Sequence, residues 1–303
     1  MRPYLFKIGG FELRIYSLMY ILAFLFGMFI CLADDVAEKR GVDDRKTIED
    51  FTFSTIVAGL IGARLYYVIF KFPDYAGDPL SIFYIWQGGL AIHGGIIGAF
   101  VGACLFARKS KVNLWVLTDM GVGPLLFGQF LGRFGNLANG EVHGVPTFTP
   151  WNVIFSGKFS EWWAKYQALG VAEQAQFKQL VPWGLTFPLD TPAGSEFPNL
   201  PLHPAMLYEG ALNLIGFLIL WFYFRKKEYN PGVLSMIYLI IYAIIRTFVS
   251  TFRAEDLLIF GIRLPYIISI IMIIIGIVGI KYFSRPERKF VPAENENSKN
   301  DKN

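Results

Sequence analysis

Seven long apolar runs limit what this chain can fold into. They lie at residues 16–32, 51–70, 88–107, 113–131, 203–224, 231–249 and 265–282. A helix needs about 20 mainly apolar residues to cross the hydrocarbon core of a bilayer. The runs therefore predict an all-α polytopic membrane protein with seven transmembrane helices.

The first run also has features of a secretory signal peptide, because it is apolar and lies near the N-terminus. It is long for the apolar region of such a peptide, and no Ala-x-Ala cleavage site precedes Asp34. We therefore interpret residues 16–32 as the first transmembrane helix.

Composition and charge exclude several other classes of protein. Hydrophobic residues make up 54% of the 303 residues, which is too many for an ordinary soluble domain. The net charge is +4, but the basic residues form short clusters between apolar runs, so we expect no nucleic-acid partner. Cys31 and Cys104 both lie inside apolar runs, which predicts neither a disulfide framework nor a cysteine metal site.

The basic clusters also predict the orientation of the chain in the membrane. In a seven-span arrangement the clusters at 39–46, 108–111, 225–227 and 281–289 fall on one side. Cytoplasmic loops carry the excess of lysine and arginine. The N-terminus is therefore expected outside and the C-terminus in the cytoplasm.

This topology divides the chain into four parts. Residues 1–144 hold transmembrane helices 1 to 4, residues 145–202 a small extracytoplasmic head, residues 203–284 helices 5 to 7, and residues 285–303 a polar cytoplasmic tail expected to be disordered. In the head, aromatic residues recur at helical spacing between Phe159 and Leu169. They predict either an amphipathic helix in the membrane interface or a core of the head itself.

Polar residues inside or capping the apolar runs recur at one depth, at the outer ends or in the outer halves of their spans. They are Tyr16, Arg64, His93, Arg133, Tyr208, Glu209 and Arg246. An ionisable group in hydrocarbon costs at least ~2.5 to 3.5 kcal/mol by insertion scales, so a chain that keeps several is expected to use them. The hypothesis is a polar chamber that opens toward the outer leaflet.

Three of these residues also have structural alternatives. Arg64 lies near a helix end, from which an arginine can extend to lipid headgroups. His93 precedes glycines at four-residue spacing, a face for close helix packing, and can bond a neighbouring helix there. Arg246 can form a structural ion pair with Glu209.

Residues 132–144 combine glycines with functional polar side chains. Their sequence is Gly-Arg-Phe-Gly-Asn-Leu-Ala-Asn-Gly-Glu-Val-His-Gly, directly after the fourth apolar run. Glycines permit sharp turns and a close approach to a ligand, while Arg133 offers a planar fork of donors that suits phosphate or carboxylate oxygens. The segment predicts an anion site at the end of a membrane helix, with Arg133 capping the fourth span.

This segment resembles the signature of the prolipoprotein diacylglyceryl transferase family. The matching residues are Gly132, Arg133, Gly135, Asn136, Asn139, Gly140, Glu141 and Gly144. Further similarities lie at 16–20, 93–95, 203–204 and 207–209, and in the series Tyr242, Arg246 and Arg253.

Two positions depart from the family pattern. Met206 stands where the family often has glutamine, which we expect to alter packing only. Ser250 stands where glutamate is expected. This departure puts in doubt a carboxylate partner of Arg246 and Arg253 on the same helix and leaves Glu209 or Glu141 as the candidates.

The resemblance implies an enzyme of the cell inner membrane that begins lipoprotein maturation. Such an enzyme transfers the diacylglyceryl group of phosphatidylglycerol to the lipobox cysteine thiol of a preprolipoprotein. The transfer forms a thioether and releases glycerol phosphate. The partners are therefore a phospholipid and a signal peptide.

This chemistry suggests a role for each polar residue. A thiol with pKa ≈ 8.5 is mostly protonated at neutral pH, so we assign His93 as the base, with Glu209 as the alternative. Arg133 and Arg246 are assigned to the phosphate leaving group, and because two guanidiniums offset its charge we expect no cofactor or metal. The remaining residues expected to bind substrate are Tyr16, Arg64, Asn136, Asn139, Glu141, Gly144, Tyr208, Tyr242 and Arg253.

Two other functions also fit an outward-facing anion site. A transporter is disfavoured by the odd number of spans, the lack of an internal repeat and the off-centre polar level. A lipid-binding scaffold would need the anion site but not His93. Substitution of His93 therefore separates a scaffold from an enzyme.

Overall fold

The computed structural model describes residues 4–8, 11–33, 42, 45–75, 77–84, 88–254, 257–259 and 261–285. The tail expected to be disordered lies outside the described residues from position 286 onward. Lys39 and Arg40 of the first basic cluster also lie outside them.

Helices account for most of the described chain. They are α1 (Ile15–Leu32), α2 (Arg45–Phe70), α3 (Ile92–Ser110), α4 (Leu114–Asn139), α5 (Trp151–Ser156), α6 (Phe159–Gln167), α7 (Val171–Gln174), α8 (Pro192–Glu196), α9 (Ala205–Ile219), α10 (Val233–Phe252) and α11 (Leu264–Phe283). A π-helical turn, Leu220–Phe224, continues α9. Seven of these helices, α1 to α4 and α9 to α11, are long and apolar enough to cross a membrane, which confirms the predicted fold class.

The largest difference from the predicted spans concerns α4. Its apolar run was expected to end at residue 131, but the helix continues to Asn139 through the first half of the signature. Glycine costs about 1 kcal/mol in a helix relative to alanine. Gly135 nevertheless fits, because a Cβ there would lie 2.4 Å from the Tyr16 ring. The prediction that Arg133 caps this helix is wrong, since Arg133 lies more than a turn before its end.

The described residues form two compact units. The first unit contains the chain up to Gly27 and from Val122 onward, and the second contains Met28–Gly121. In the second unit α2 packs closely against α3, because an added Cβ at Gly94 would lie 2.3 Å from the Gly62 carbonyl oxygen. The glycines that follow His93 therefore serve helix packing, as expected.

The head shares one hydrophobic core with α9 and α10 in the first unit. Ile154, Phe159 and Phe197 of the head are buried together with Met206 of α9 and Val249 of α10. Trp162 and Trp163 pack against the same core. Of the two alternatives for these aromatic residues, the structure therefore supports a core of the head.

The described residues also contain four short strands, which were not predicted. β1 (Tyr4–Ile8) and β2 (Phe11–Arg14) form an antiparallel hairpin before α1. β3 (Leu258–Ile259) and β4 (Ile262–Arg263) form a second ladder between α10 and α11. Two 3-10 helices, Phe72–Tyr75 and Pro79–Phe83, lie between α2 and α3.

Candidate active site

The signature turns sharply where α4 ends. Gly140 has φ +65°, a left-handed conformation that glycine adopts without steric cost. The Glu141 amide donates to the Asn136 carbonyl at 2.9 Å, closing the last turn of the helix. This turn brings the Glu141 side chain back alongside the helix it has just left.

Two asparagines of α4 hold the Glu141 carboxylate. Asn136 Nδ2 donates to Glu141 Oε2 at 3.3 Å, and Asn139 Nδ2 donates to Oε1 at 3.2 Å. The Asn136 amide oxygen accepts from Arg133 Nη1 at 3.0 Å. Four predicted site residues therefore form one hydrogen-bonded chain.

Glu209 of α9 joins two arginines from two other helices. Its side chain is fully buried, and its Oε1 accepts a hydrogen bond from Arg133 Nη2 of α4. Its Oε2 lies 3.7 Å from Arg246 Nη1 of α10. The ion pair between Arg246 and Glu209 that the sequence left as an alternative is thus present, and it is shared with Arg133.

This arrangement places two guanidiniums on one carboxylate. Two guanidiniums share one carboxylate of Glu209, so the three groups together carry about one positive charge. Removing one partner of a buried ion pair typically costs about 3 to 5 kcal/mol, because the other charge stays buried. Glu209 therefore orients Arg133 and Arg246 while leaving them able to attract an anion.

Tyr16 packs against the signature helix from α1. Its ring lies against Gly135, where no larger residue would fit. The Tyr20 hydroxyl, one turn further along α1, donates to the Tyr16 hydroxyl at 3.1 Å. Tyr16 is thereby placed beside the helix that carries Arg133.

The end of the signature lies between two other backbone segments. The Gly144 amide donates to the His203 carbonyl at 2.8 Å, and the Val145 amide donates to the Phe252 carbonyl at 2.9 Å. A Cβ at Gly144 would lie 2.7 Å from both of these carbonyl oxygens. Gly144 also forms an isolated antiparallel bridge with Arg253. It therefore ties α4 to the start of α9 and the end of α10.

A second hydrogen-bonded group surrounds Tyr208. The exposed Trp183 indole donates to the Tyr208 hydroxyl at 2.7 Å, and that hydroxyl lies 3.1 Å from His203 Nδ1. Burial lowers the pKa of His203 to about 4, so the ring is neutral at pH 7. The sequence matched His203 to the family but assigned it no role.

Tyr242 and Arg246 line a cavity of about 260 Å³ between α10 and α11. Apart from these two residues and Ser269, its lining is apolar. The Tyr242 ring stacks on Tyr238, one turn earlier in α10, with centroids 6.1 Å apart. Tyr242 and Arg246 therefore share this cavity, and the substrate-binding role of Tyr242 stays a prediction.

Arg64 belongs to the second unit, where it holds a loop. Its guanidinium donates to the carbonyls of Ser81, Ile82, Gly88 and Gly89 at 2.7 to 3.0 Å. Only 7% of its surface is exposed, so it does not extend to lipid headgroups. The structure gives Arg64 a structural task, and its contact with substrate stays a prediction.

His93 also belongs to the second unit. It lies in the first turn of α3, and its side chain is exposed. Its ring centroid lies 6.1 Å from that of Tyr66 on α2. The catalytic role assigned to His93 stays a prediction.

A family model described as prolipoprotein diacylglyceryl transferase matches residues 3–282. The chain belongs to this family. The match covers six of the seven long helices in full, the seventh to its penultimate residue, and every residue of the candidate site. The family and the class of enzyme, a transferase, were both predicted correctly from the sequence.

Several curated members of the family resemble the chain over almost its whole length. A phosphatidylglycerol–prolipoprotein diacylglyceryl transferase of Fusobacterium nucleatum is 51% identical over 284 residues, covering 93% of this chain and 98% of the relative. Proteins of the same name from Proteus mirabilis and Thermotoga maritima are 34% and 32% identical. They cover 94% and 95% of this chain, and 93% and 87% of their own lengths.

The two departures from the family pattern have clear structural surroundings. Met206 is fully buried in the core shared by the head and α9, which agrees with a packing role. Ser250 is also fully buried, and its carbonyl accepts a hydrogen bond from Arg263 Nη1. The carboxylate partner of Arg246 comes from Glu209 on another helix.

Proposed function

We propose that this transferase moves the diacylglyceryl group of phosphatidylglycerol onto the lipobox cysteine thiol of preprolipoproteins. The observation that carries the proposal is the Glu209 carboxylate shared by Arg133 and Arg246, beside the network of Asn136 and Glu141. The names of the relatives, which specify both substrates, support it.

The reaction is a displacement at the glyceryl carbon that carries the phosphate. The thiolate sulfur forms a bond to this carbon, and the bond between the carbon and the phosphate oxygen breaks. The oxygen keeps the electron pair and leaves with glycerol phosphate. The thiol proton passes to a base, so charge and atoms balance.

The two arginines act on the leaving group. Phosphate oxygens gain negative charge as the bond breaks, and guanidinium donors aimed at them stabilise that charge. Glu209 keeps both guanidiniums in place before the lipid binds. Because Glu209 is an anion itself, it also prevents two unpaired positive charges from being buried together.

His93 is proposed as the base that takes the thiol proton, because a neutral imidazole accepts protons near pH 7. Its exposed ring at the start of α3 supports this role. Glu209 remains the alternative base. It is a weaker candidate because Arg133 and Arg246 already neutralise it.

The remaining predicted residues bind and orient the substrates. Asn136, Asn139 and Glu141 offer donors and acceptors to the glycerol headgroup, since their side chains already form one polar network. The other residues proposed to line the substrate site are Tyr16, Arg64, Gly144, Tyr208, Tyr242 and Arg253.

The protein is proposed to lie in the cell inner membrane with its N-terminus and head outside. The basic clusters support this orientation through the positive-inside rule. In this arrangement residues 145–202 form the extracytoplasmic head between the transmembrane parts 1–144 and 203–284, and residues 285–303 form the cytoplasmic tail.

The decisive experiment uses the purified protein in detergent with phosphatidylglycerol and a synthetic lipobox peptide. Wild type should release glycerol phosphate and increase the peptide mass by one diacylglyceryl group. Arg133→Ala should abolish both signals, whereas Arg45→Ala should preserve them, because Arg45 is an exposed arginine that pairs with Glu49 in an adjacent turn.

Two results would contradict the proposal. One is lipid binding by the wild type without any gain of peptide mass, as a scaffold would show. The other is an undiminished mass gain in Arg133→Ala.

A further inference from the structure

Two amide side chains lie one helical turn away from the Arg133 and Glu209 pair. Gln129 precedes Arg133 by four residues on α4, and Asn213 follows Glu209 by four residues on α9. Residues four apart lie on the same face of a helix. Gln129 therefore lies one turn from Arg133 on the same face of α4, and Asn213 lies one turn from Glu209 on the same face of α9.

The two amides belong to the same layer because α4 and α9 run antiparallel. An added Cβ at Gly210 would lie 3.3 Å from Arg133 Cβ, and one at Gly216 would lie 3.8 Å from Leu126 Cδ1. Residues with lower numbers on α4 therefore pack against residues with higher numbers on α9. Gln129 and Asn213 both fall between these two contacts.

The two amides and the ion pair one turn away from them contain several buried polar atoms. Among the described residues, no hydrogen-bond partner is found for Gln129 Oε1, for Asn213 Nδ2 and Oδ1, for Glu209 Oε2 or for Arg133 Nε. Asn213 is fully buried. Buried polar groups in proteins are almost always hydrogen-bonded to protein or to ordered water. A partner that both donates and accepts is needed, because the set mixes donors with acceptors.

We propose that Asn213 and Gln129 are positioning residues that hold water against Glu209 Oε2. A bound water typically makes about three hydrogen bonds to buried polar groups, and the side chains of Gln129, Asn213 and Glu209 offer at least that number. The water fixes the carboxylate that orients Arg133 and Arg246. The effect on turnover rests on the proposed transfer reaction, whereas the water site itself does not.

A purely structural role is the competing explanation. Asparagine and glutamine often join transmembrane helices by direct hydrogen bonds between side chains. Gln129 does so, because its Nε2 donates to the Tyr238 hydroxyl of α10 at 3.0 Å. Neither polar atom of Asn213 has such a partner among the described residues, so a direct bond does not account for it.

The first test compares two substitutions of Asn213. Asn213→Leu fills a similar volume without polar atoms, so it should keep or raise the melting temperature while reducing kcat by about 10- to 100-fold. Asn213→Ser leaves space and a hydroxyl for water, so it should lower the melting temperature but retain kcat within about threefold of wild type. Phe217→Leu, a packing change one turn further along α9, should lower stability without a specific loss of kcat.

The relative kcat of the two variants decides between the two roles. The water-holding role predicts a higher kcat for Asn213→Ser than for Asn213→Leu. A packing role predicts that Asn213→Leu is the more active, because it leaves no cavity. That order, or wild-type turnover in both variants, would overturn the inference. If wild type shows no transfer at all, the proposed function fails instead.

The second test is an experimental structure of the wild type at a resolution that shows ordered water. A water within hydrogen-bonding distance of both Asn213 and Glu209 Oε2 is expected. A direct bond from Asn213 to another side chain, or a dry site, would overturn the inference. This test does not depend on activity or on the stability of any variant.

Discussion

At the scale of single residues, Gly144 shows why the family signature ends in glycine. Two backbone carbonyl oxygens, of His203 and Phe252, occupy the space where a Cβ would lie. The sequence indicates that a glycine is needed here, but not which segments approach it. Those segments lie just before α9 and at the end of α10, more than 50 residues further along the chain.

Gly144→Ala should therefore lower stability by about 1 to 3 kcal/mol, because one of the two carbonyls must move. It should also reduce transfer activity, since the shift reaches Glu141 and α9. Thermal unfolding in detergent and the peptide mass assay measure both effects. Gly121→Ala is the matched control, because nothing lies within 4 Å of its added Cβ. Equal melting temperatures for the two variants would contradict the packing argument.

The burial of His203 predicts how the stability of the fold depends on pH. Its pKa is lowered to about 4 by burial, against an ordinary value near 6.5. Between these two values the unfolded chain binds a proton that the folded protein does not. The contribution of His203 therefore favours folding above pH 6.5 and is lost progressively as the pH falls toward 4.

This pH dependence is measured by thermal unfolding between pH 4 and 7. His203→Asn removes the titrating group, so its melting temperature should fall less steeply with acid than that of wild type. Parallel curves for wild type and variant would show that His203 does not contribute.

At the scale of elements, Arg64 links α2 to the segment before α3. The sequence placed Arg64 among the substrate-binding residues because it is charged within an apolar run. In the structure its guanidinium donates to four carbonyls of residues 81–89. A buried arginine that satisfies backbone carbonyls stabilises the loop that carries them.

Arg64→Met keeps the apolar stem but removes these donors. Amide hydrogen exchange in residues 79–84 and 88–90 should become at least about tenfold faster, because the loop loses its anchor to α2. Arg45→Met, an exposed substitution at the start of the same helix, should leave this exchange unchanged. Unaltered exchange in Arg64→Met would mean that the loop is held by other contacts.

The end of α4 is the helix boundary that sequence patterns predicted least accurately. Hydropathy ended the helix at residue 131, where glycines and polar residues begin. The helix continues to Asn139 because Gly135 lets it pack against Tyr16, and because Gly140 provides the left-handed turn that ends it. This longer helix puts Arg133, Asn136 and Asn139 on consecutive turns.

At the scale of the whole molecule, the orientation in the membrane is open to direct measurement. The positive-inside rule puts the head outside and the loop after α9 in the cytoplasm. The variant Ala175→Cys, in the head, should react with a membrane-impermeant thiol reagent in unlysed cells whose outer envelope has been permeabilised. A cysteine at Lys226 should react only after lysis. Both parent cysteines, Cys31 and Cys104, are replaced first, and the reverse pattern of labelling would reject the orientation.

The sequence alone determined the number of membrane-spanning helices and the family, and it proposed the residues of the candidate site. These features depend on local properties, namely the length of apolar runs and the residue types at fixed spacing in the signature. The structure decided which charges meet. That Glu209 serves both Arg133 and Arg246, and that Gln129 and Asn213 fall in one layer, depend on packing between helices far apart in the chain. That Arg64 binds carbonyls depends on how the segment before α3 folds back onto α2. Hydropathy and spacing cannot specify these contacts, because the same polar residues would give the same pattern whichever partners the folded helices brought to them.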